Sequence, residues 1–339
     1  MWALLPIAHL SSPRRIGSLI DPTSSRAHLR EAYAVLSREG SLTSFGGALA
    51  TLPLPLTPLS SAELEEITRL PSRAFIPSAS AHGRRGGADL SAGLATVGLQ
   101  ICLAAAAVEE RLPLRSLREL AWWQLPALFL AAVACATAAL AVTDNFALGG
   151  RIIATAQASL PSKRAAIVRH EAGHFLLAVL LGCPVQSCML DPLATLMDPT
   201  FEGIAGTVFL APALEKLQSG GDPSREEVYH AAIILMGGIA AEALAYGSAE
   251  GGAADERALV SLLHASTPAD QWTDADVRAY ARVAVANAVL LLGKYAEALD
   301  ALCDSLASGA TVGECVEQIE LSFVRHHSSC AVDDSLLTG

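Results

Sequence analysis

The chain has 339 residues, enough for one or two domains with a sizeable core, and it is 52% hydrophobic against 17% charged, more apolar than an ordinary soluble domain. Its net charge of −11, with lysine only at Lys163, Lys216 and Lys294 and no Lys/Arg stripe, excludes a nucleic-acid-binding surface. Seven cysteines are an odd number without the spacing of a disulfide framework, and they point to a reducing compartment.

Residues 1–85 are the least globular stretch by composition. The first 30 carry Arg14, Arg15, Arg26 and Arg30, several serines and one acid, Asp21, the balance of an organellar transit peptide; a disordered N-terminus is the alternative. A secretory signal fits less well, because the apolar run from Trp2 to Leu10 is short and is broken by Pro6 and His9. Short helices are expected over 29–39 and 61–69, with linker-like sequence at 51–58 and 78–87. Residues 86–145 are expected to form a transmembrane hairpin. Its first span, 90–107, is an uncharged run that includes Gln100. Its second, 121–142, has no charge and carries Trp122 and Trp123 at one end, and it reaches the roughly 20 residues that a bilayer core requires.

From 146 to 322 the sequence reads as a folded domain. Its most informative stretch is His170-Glu171-Ala172-Gly173-His174, an H-E-x-x-H pattern in a helix that Ser162 can cap and Gly182-Cys183-Pro184 can stop. Residues i and i+4 share a helix face, so His170 and His174 can present nitrogens to one metal ion. Glu171 lies about 100° round the axis, beside such an ion rather than on it, where its carboxylate can take a proton from a metal-bound water. Three such groups without partners would be costly in an otherwise apolar segment, which favours a metal site over a chance pattern.

Further along, Pro184 to Leu190 and Gly206 to Leu210 read as strands of a small sheet whose exposed edge can hold an extended peptide. Cys183 and Cys188 lack a second pair of thiols and read as small buried hydrophobes. Ser224 and Glu227 have the spacing of a capping box before an apolar helix that runs through Met236 and stops at Gly247. Long amphipathic helices are expected over 274–308 and a short one to 322, followed by a disordered tail, 323–339, in which His326 and His327 are solvated. The fold class is mainly α: a helical domain with a small β-sheet behind a one- or two-helix membrane anchor.

A catalytic zinc takes three protein ligands and leaves a position for water. Asp198, Glu242, Glu250, Asp255 and Glu256 are the acids available downstream, and Gly251 to Leu259 reads as a turn opening into a helix with Asp255 near its start.

Four blocks in order carry a family likeness: Ile167 to His174, the strand Gly206 to Leu210, the helix Met236-Gly237-Gly238-Ile239-Ala240-Ala241-Glu242-Ala243 closing at Tyr246-Gly247, and the turn at 252–255. This set resembles the peptidase domain of the FtsH family of membrane-bound, AAA-associated zinc metalloproteases. The resemblance implies Zn2+ held by His170, His174 and Asp255, with Glu171 as general base and polypeptides as substrates. Two departures stand out. The family's ATPase module, with its G-x-x-x-x-G-K-[ST] loop, is absent between the second span and the motif helix, and Ile239 stands where the family usually has a basic residue.

The chain is similar to ATPase-less FtsH-like proteins of plastids, which implies an organelle membrane, chloroplast thylakoid or envelope, with a mitochondrial membrane as the alternative. Membrane lipid, a homo-oligomer and a separate AAA ATPase are the partners so implied. The expected function is a membrane-anchored zinc endopeptidase with no ATPase module of its own. The alternative is a catalytically silent FtsH-like scaffold of an ATP-dependent protease complex.

Overall fold

The computed structural model describes residues 14–21, 23–77, 125–147, 160–191, 205–266 and 273–337. The chain divides into two units, one of Met1–Ser78, Arg164–Leu190 and Ala205–Gly339, the other of Ala79–Lys163 and Asp191–Ile204. Helices dominate the described residues. In chain order they are α1 (Arg14–Leu19), α2 (Arg26–Arg38), α3 (Ser61–Thr68), α4 (Leu125–Ala147), α5 (Pro161–Leu180), α6 (Pro212–Gln218), α7 (Arg225–Leu235), α8 (Gly237–Tyr246), α9 (Ala253–Ala265), α10 (Asp274–Lys294), α11 (Ala296–Ala307) and α12 (Val312–Leu337). Strands β1 (Val185–Met189) and β2 (Gly206–Phe209) form the expected small sheet, antiparallel, with Cys188 opposite Thr207 and an irregularity between Val185 and Ser187.

Helix α5 is the centre of the first unit. Ala172 and Phe175 to Leu180 are fully buried, so this stretch is apolar all round, as a helix enclosed by other elements must be. It begins at Pro161 rather than after Ser162; proline suits a first helical position, where its missing N–H has no intrahelical acceptor to bond. It ends as expected at Gly182, whose φ of 69° is the left-handed conformation that glycine adopts freely. There Gly182 N–H donates to Val179 O (3.1 Å) and Cys183 N–H to Ala178 O (2.8 Å), the pair of bonds of a Schellman closure.

Residues 14–77 hold the two expected short helices, seen as α2 and α3, but they differ from expectation in how they are packed. Residues 14–77 are not a loose presequence or linker: Ile16, Ile20, Leu29, Tyr33, Leu36, Leu42, Leu64 and Phe75 are buried in the same core as α5. One physical reason lies in the last carbonyls of α5. A helix leaves its last four C=O groups without intrahelical partners, and here Gly46 N–H donates to Val179 O (2.9 Å) and Ala48 N–H to Leu180 O (3.0 Å). The Glu320 carboxylate of α12 accepts from the backbone N–H groups of Thr43 (2.8 Å) and Ser44 (2.7 Å), and the fully buried Asn287 holds Leu54 by its backbone N–H (3.0 Å). Residues 1–13 lie outside the described part.

The tail also differs. α12 continues to Leu337 instead of ending near 322, because Phe323 is buried and stacks on Tyr295 with ring centroids 5.3 Å apart. His327 packs its ring 4.2 Å from that of Phe323 and His326 lies edge-on to Tyr295, so both histidines pack against aromatic rings.

Of the expected hairpin, 90–107 falls outside the described residues, and α4 covers most of 121–142. α4 has 23 residues, about 35 Å at 1.5 Å per residue, and leaves Phe129, Leu130, Val133, Leu140 and Val142 exposed. Cys135 on this helix is disulfide-bonded, which runs against the expected reducing compartment, while Cys183, Cys188, Cys303 and Cys315 are free. Among the described residues, one helical run passes as long and apolar enough to cross a membrane. It is Arg225–Tyr246, that is α7 and α8 joined at Met236, and 83% of its apolar window is buried within the fold.

Candidate metal centre

The site forms where α5, α8 and α9 converge. α5 and α8 cross with backbones in contact: a Cβ on Gly173 would sit 2.4 Å from Gly237 O, and one on Gly237 would sit 2.9 Å from Gly173 O. One residue on, a Cβ at Gly238 would lie 2.3 Å from His170 Nε2, so only glycine leaves room for the imidazole. Gly252 begins α9 with φ 105°, and there a Cβ would meet Ile239 Cγ1 at 2.2 Å. That turn sets Asp255 in the first turn of α9, facing α5.

His170 Nε2 lies 3.0 Å from Asp255 Oδ2, His174 Nε2 lies 3.6 Å from the same oxygen, and the two Nε2 atoms are 3.1 Å apart. The three side chains each offer one ligand atom, all within 4.8 Å of one another. The other ring nitrogens face acceptors. His170 Nδ1–H donates to Glu242 Oε1 (2.7 Å), and His174 Nδ1–H donates to Ile234 O (2.7 Å), one of the last carbonyls of α7. With Nδ1 the donor on both rings, both Nε2 lone pairs point at one spot, the arrangement found around metal-binding histidines. Glu242 is itself pinned by the backbone N–H groups of Glu250 (2.7 Å) and Gly251 (3.1 Å), which ties the loop before α9 to His170.

Electrostatics reinforce the grouping. Burial on its own disfavours the His170 imidazolium, but hydrogen bonds to Asp255 and Glu242 more than offset that and hold its pKa well above the ordinary histidine range. His174 is raised too, burial again opposing and Asp255 prevailing. Burial pushes the Asp255 carboxyl up, while His174 and His170 pull it the other way and leave it strongly lowered. A divalent cation bound there would take the place of protons at these nitrogens. Two neutral imidazoles and a carboxylate are a donor set suited to zinc, and the Asp255 side chain, 20% exposed against 10% and 5% for the histidines, marks the open side.

Glu171 is buried beside the ligands rather than among them, and Thr207 Oγ1 donates to its Oε2 at 2.8 Å. Four of the five sequence-derived acids now have a place. Asp255 joins the histidines, Glu242 holds His170 from behind, Glu250 lends Glu242 its backbone N–H, Glu256 follows Asp255 on α9 outside the ligand group, and Asp198 lies outside the described residues. Thr207 and the second role of Glu242 were not visible in the sequence. The one signal was the Glu242 position itself, a lone acid in the apolar face Met236 to Ala243. Ile239 is fully buried and packs against the Gly252 turn.

Comparison with protein-family models, with curated proteins and with solved structures finds no match to this chain.

Proposed function

We propose that this chain is a membrane-anchored zinc endopeptidase resembling the FtsH peptidase domain and working without an ATPase module of its own. The observation that carries the reading is the convergence of His170 Nε2, His174 Nε2 and Asp255 Oδ2, with both Nδ1 atoms engaged from behind. His170, His174 and Asp255 would hold the ion. Bound there, zinc supplies Lewis acidity towards a carbonyl and lowers the pKa of a water. Glu171 takes a proton at its carboxylate and returns it to the leaving amine, as its place next to the ligands allows. Among the described residues β2 pairs with β1 alone, and its other edge can take an extended polypeptide as an added strand. The apolar face of α4 serves as membrane anchor, and the organelle membrane, chloroplast or mitochondrial, is assigned on resemblance. Without a motor, substrates are loosened polypeptides or those handed over by a separate ATPase.

The test is cleavage of reduced, alkylated casein by detergent-solubilised full-length protein without ATP, with bound zinc measured by mass spectrometry. Wild type cleaves and carries one zinc per chain; Glu171→Gln keeps the zinc and loses activity by about 100-fold or more. A zinc-loaded wild type that cleaves nothing would move the chain to the competing class, a silent scaffold that keeps the fold and the metal.

A further inference from the structure

Thr207 and Cys188 are directly opposed residues of the two-stranded sheet, so their side chains share one face, and that face looks at α5. Thr207 Oγ1 makes three close approaches. It is 2.8 Å from Glu171 Oε2, 3.4 Å from Glu171 O and 3.4 Å from Cys188 Sγ. A hydroxyl has one proton to give. The Glu171 carboxylate oxygen is the nearest of the three acceptors, so the proton goes there, and the Cys188 thiol flanks the same hydroxyl at 3.4 Å.

We infer that Thr207 is a positioning residue of the site, a strand-borne hydroxyl that fixes the Glu171 carboxylate so that one oxygen is anchored and the other is free for proton transfer. The inference deepens the metallopeptidase reading and rests on it for its catalytic meaning. The contact itself can be tested independently. β1 and β2 thereby have two tasks on opposite sides of Thr207: the backbone edge offers a place for substrate, and the side-chain face holds the base. A carboxylate on a helix has rotamers to choose from, and a misplacement of about 1 Å is enough to lose on the order of 100-fold in rate.

The experiment compares Thr207→Val, which keeps the shape of the side chain and removes the hydroxyl, with Thr207→Ser, which keeps the hydroxyl, in the zinc-loaded full-length protein. With casein as substrate, T207V is expected to lower kcat about 10-fold or more with KM within about twofold and zinc content unchanged, and T207S to recover most of the rate. A second readout needs no activity: thermal unfolding of T207V, E171A and the double variant. If the hydroxyl grips the carboxylate, T207V lowers Tm in the wild-type background and lowers it much less once Glu171 is alanine. Equal Tm losses in both backgrounds, an unchanged kcat in T207V, or failure of T207S to recover it would each overturn the inference. Should wild type cleave nothing while the Tm losses remain non-additive, the peptidase reading fails and the positioning contact stands as a structural one.

Discussion

The run Arg225–Tyr246 and helix α4 are 22 and 23 residues long, and both are built largely from alanine and aliphatic side chains. The first is enclosed. Ala231 to Ile234 and Ile239 to Ala241 have no exposed surface, and its glycine pair lets α5 approach to backbone contact. The second leaves Phe129 and Leu130 about two-thirds exposed. The two differ less in apolarity than in what lies against them. Small residues at 237, 238, 240 and 241 make Arg225–Tyr246 a helix for packing against other helices, and Glu242 then finds a histidine to pair with. In α4 large apolar groups are exposed instead, the pattern that the proposed membrane anchor requires.

Substituting the same charge in both helices is the hardest test of that contrast. Ile234→Lys places an unpaired ammonium in the core, with an expected loss above about 4 kcal/mol, so no cooperative thermal transition should be seen by circular dichroism. Next comes the crossing itself. Gly238→Ala forces a methyl into the His170 ring, with an expected loss of about 1 to 3 kcal/mol and zinc binding weakened more than in any substitution outside the ligands, measured by competition with a chelator. A wild-type zinc affinity in this variant would mean that the ring has room the geometry denies. Glu242→Ala strips the acceptor from His170 Nδ1 while leaving the three ligands in place, and zinc affinity should fall about 10- to 100-fold.

Proton competition gives a smaller and graded effect. Because Asp255 and Glu242 raise His170, and Asp255 raises His174, zinc must displace tightly held protons, so affinity declines as pH falls and begins to do so above about pH 6.5, the ordinary histidine value. The sign for the zinc-free fold is opposite. Groups with raised folded pKa stabilise it below their unfolded value, and that contribution is lost as pH rises through the folded one. Melting curves of stripped and loaded protein should therefore separate increasingly with rising pH. Parallel curves would count against these histidines as the ligands. The smallest effect on folding belongs to α4: Leu130→Lys should change the stability of the folded domain by less than about 0.5 kcal/mol while releasing the protein from bilayers on alkaline washing.

Much of the local structure was legible in the residues. Ser224 and Glu227 form both bonds of their capping box, and Gly247 closes α8 in the left-handed conformation. The strands at 185–189 and 206–209 pair as expected, and H-E-x-x-H lies on one helix with its histidines sharing a face. These signals are carried by residues at most four apart, or by short runs with a clear pattern. The misreadings were of another kind. Tyr33, Leu36 and Leu42 sit among serines, prolines and arginines that resemble a presequence, and nothing nearby reveals that α5's terminal carbonyls await Gly46 and Ala48. Phe323 looked like part of a loose tail because its partner, Tyr295, lies 28 residues earlier by the numbering.

By itself, then, the sequence determined a helical, apolar chain with two histidines and a glutamate fixed in register by the helical repeat. Among five acids it favoured Asp255 as the third ligand only narrowly over Glu250, until the family likeness singled Asp255 out. The tertiary structure alone assigned work to the acids, because a carboxylate 72 or 85 residues from His170 acquires its role only when the chain between them folds back. Glu242 went behind the ring and Asp255 in front of it, and what separates the two roles is which ring nitrogen each one meets.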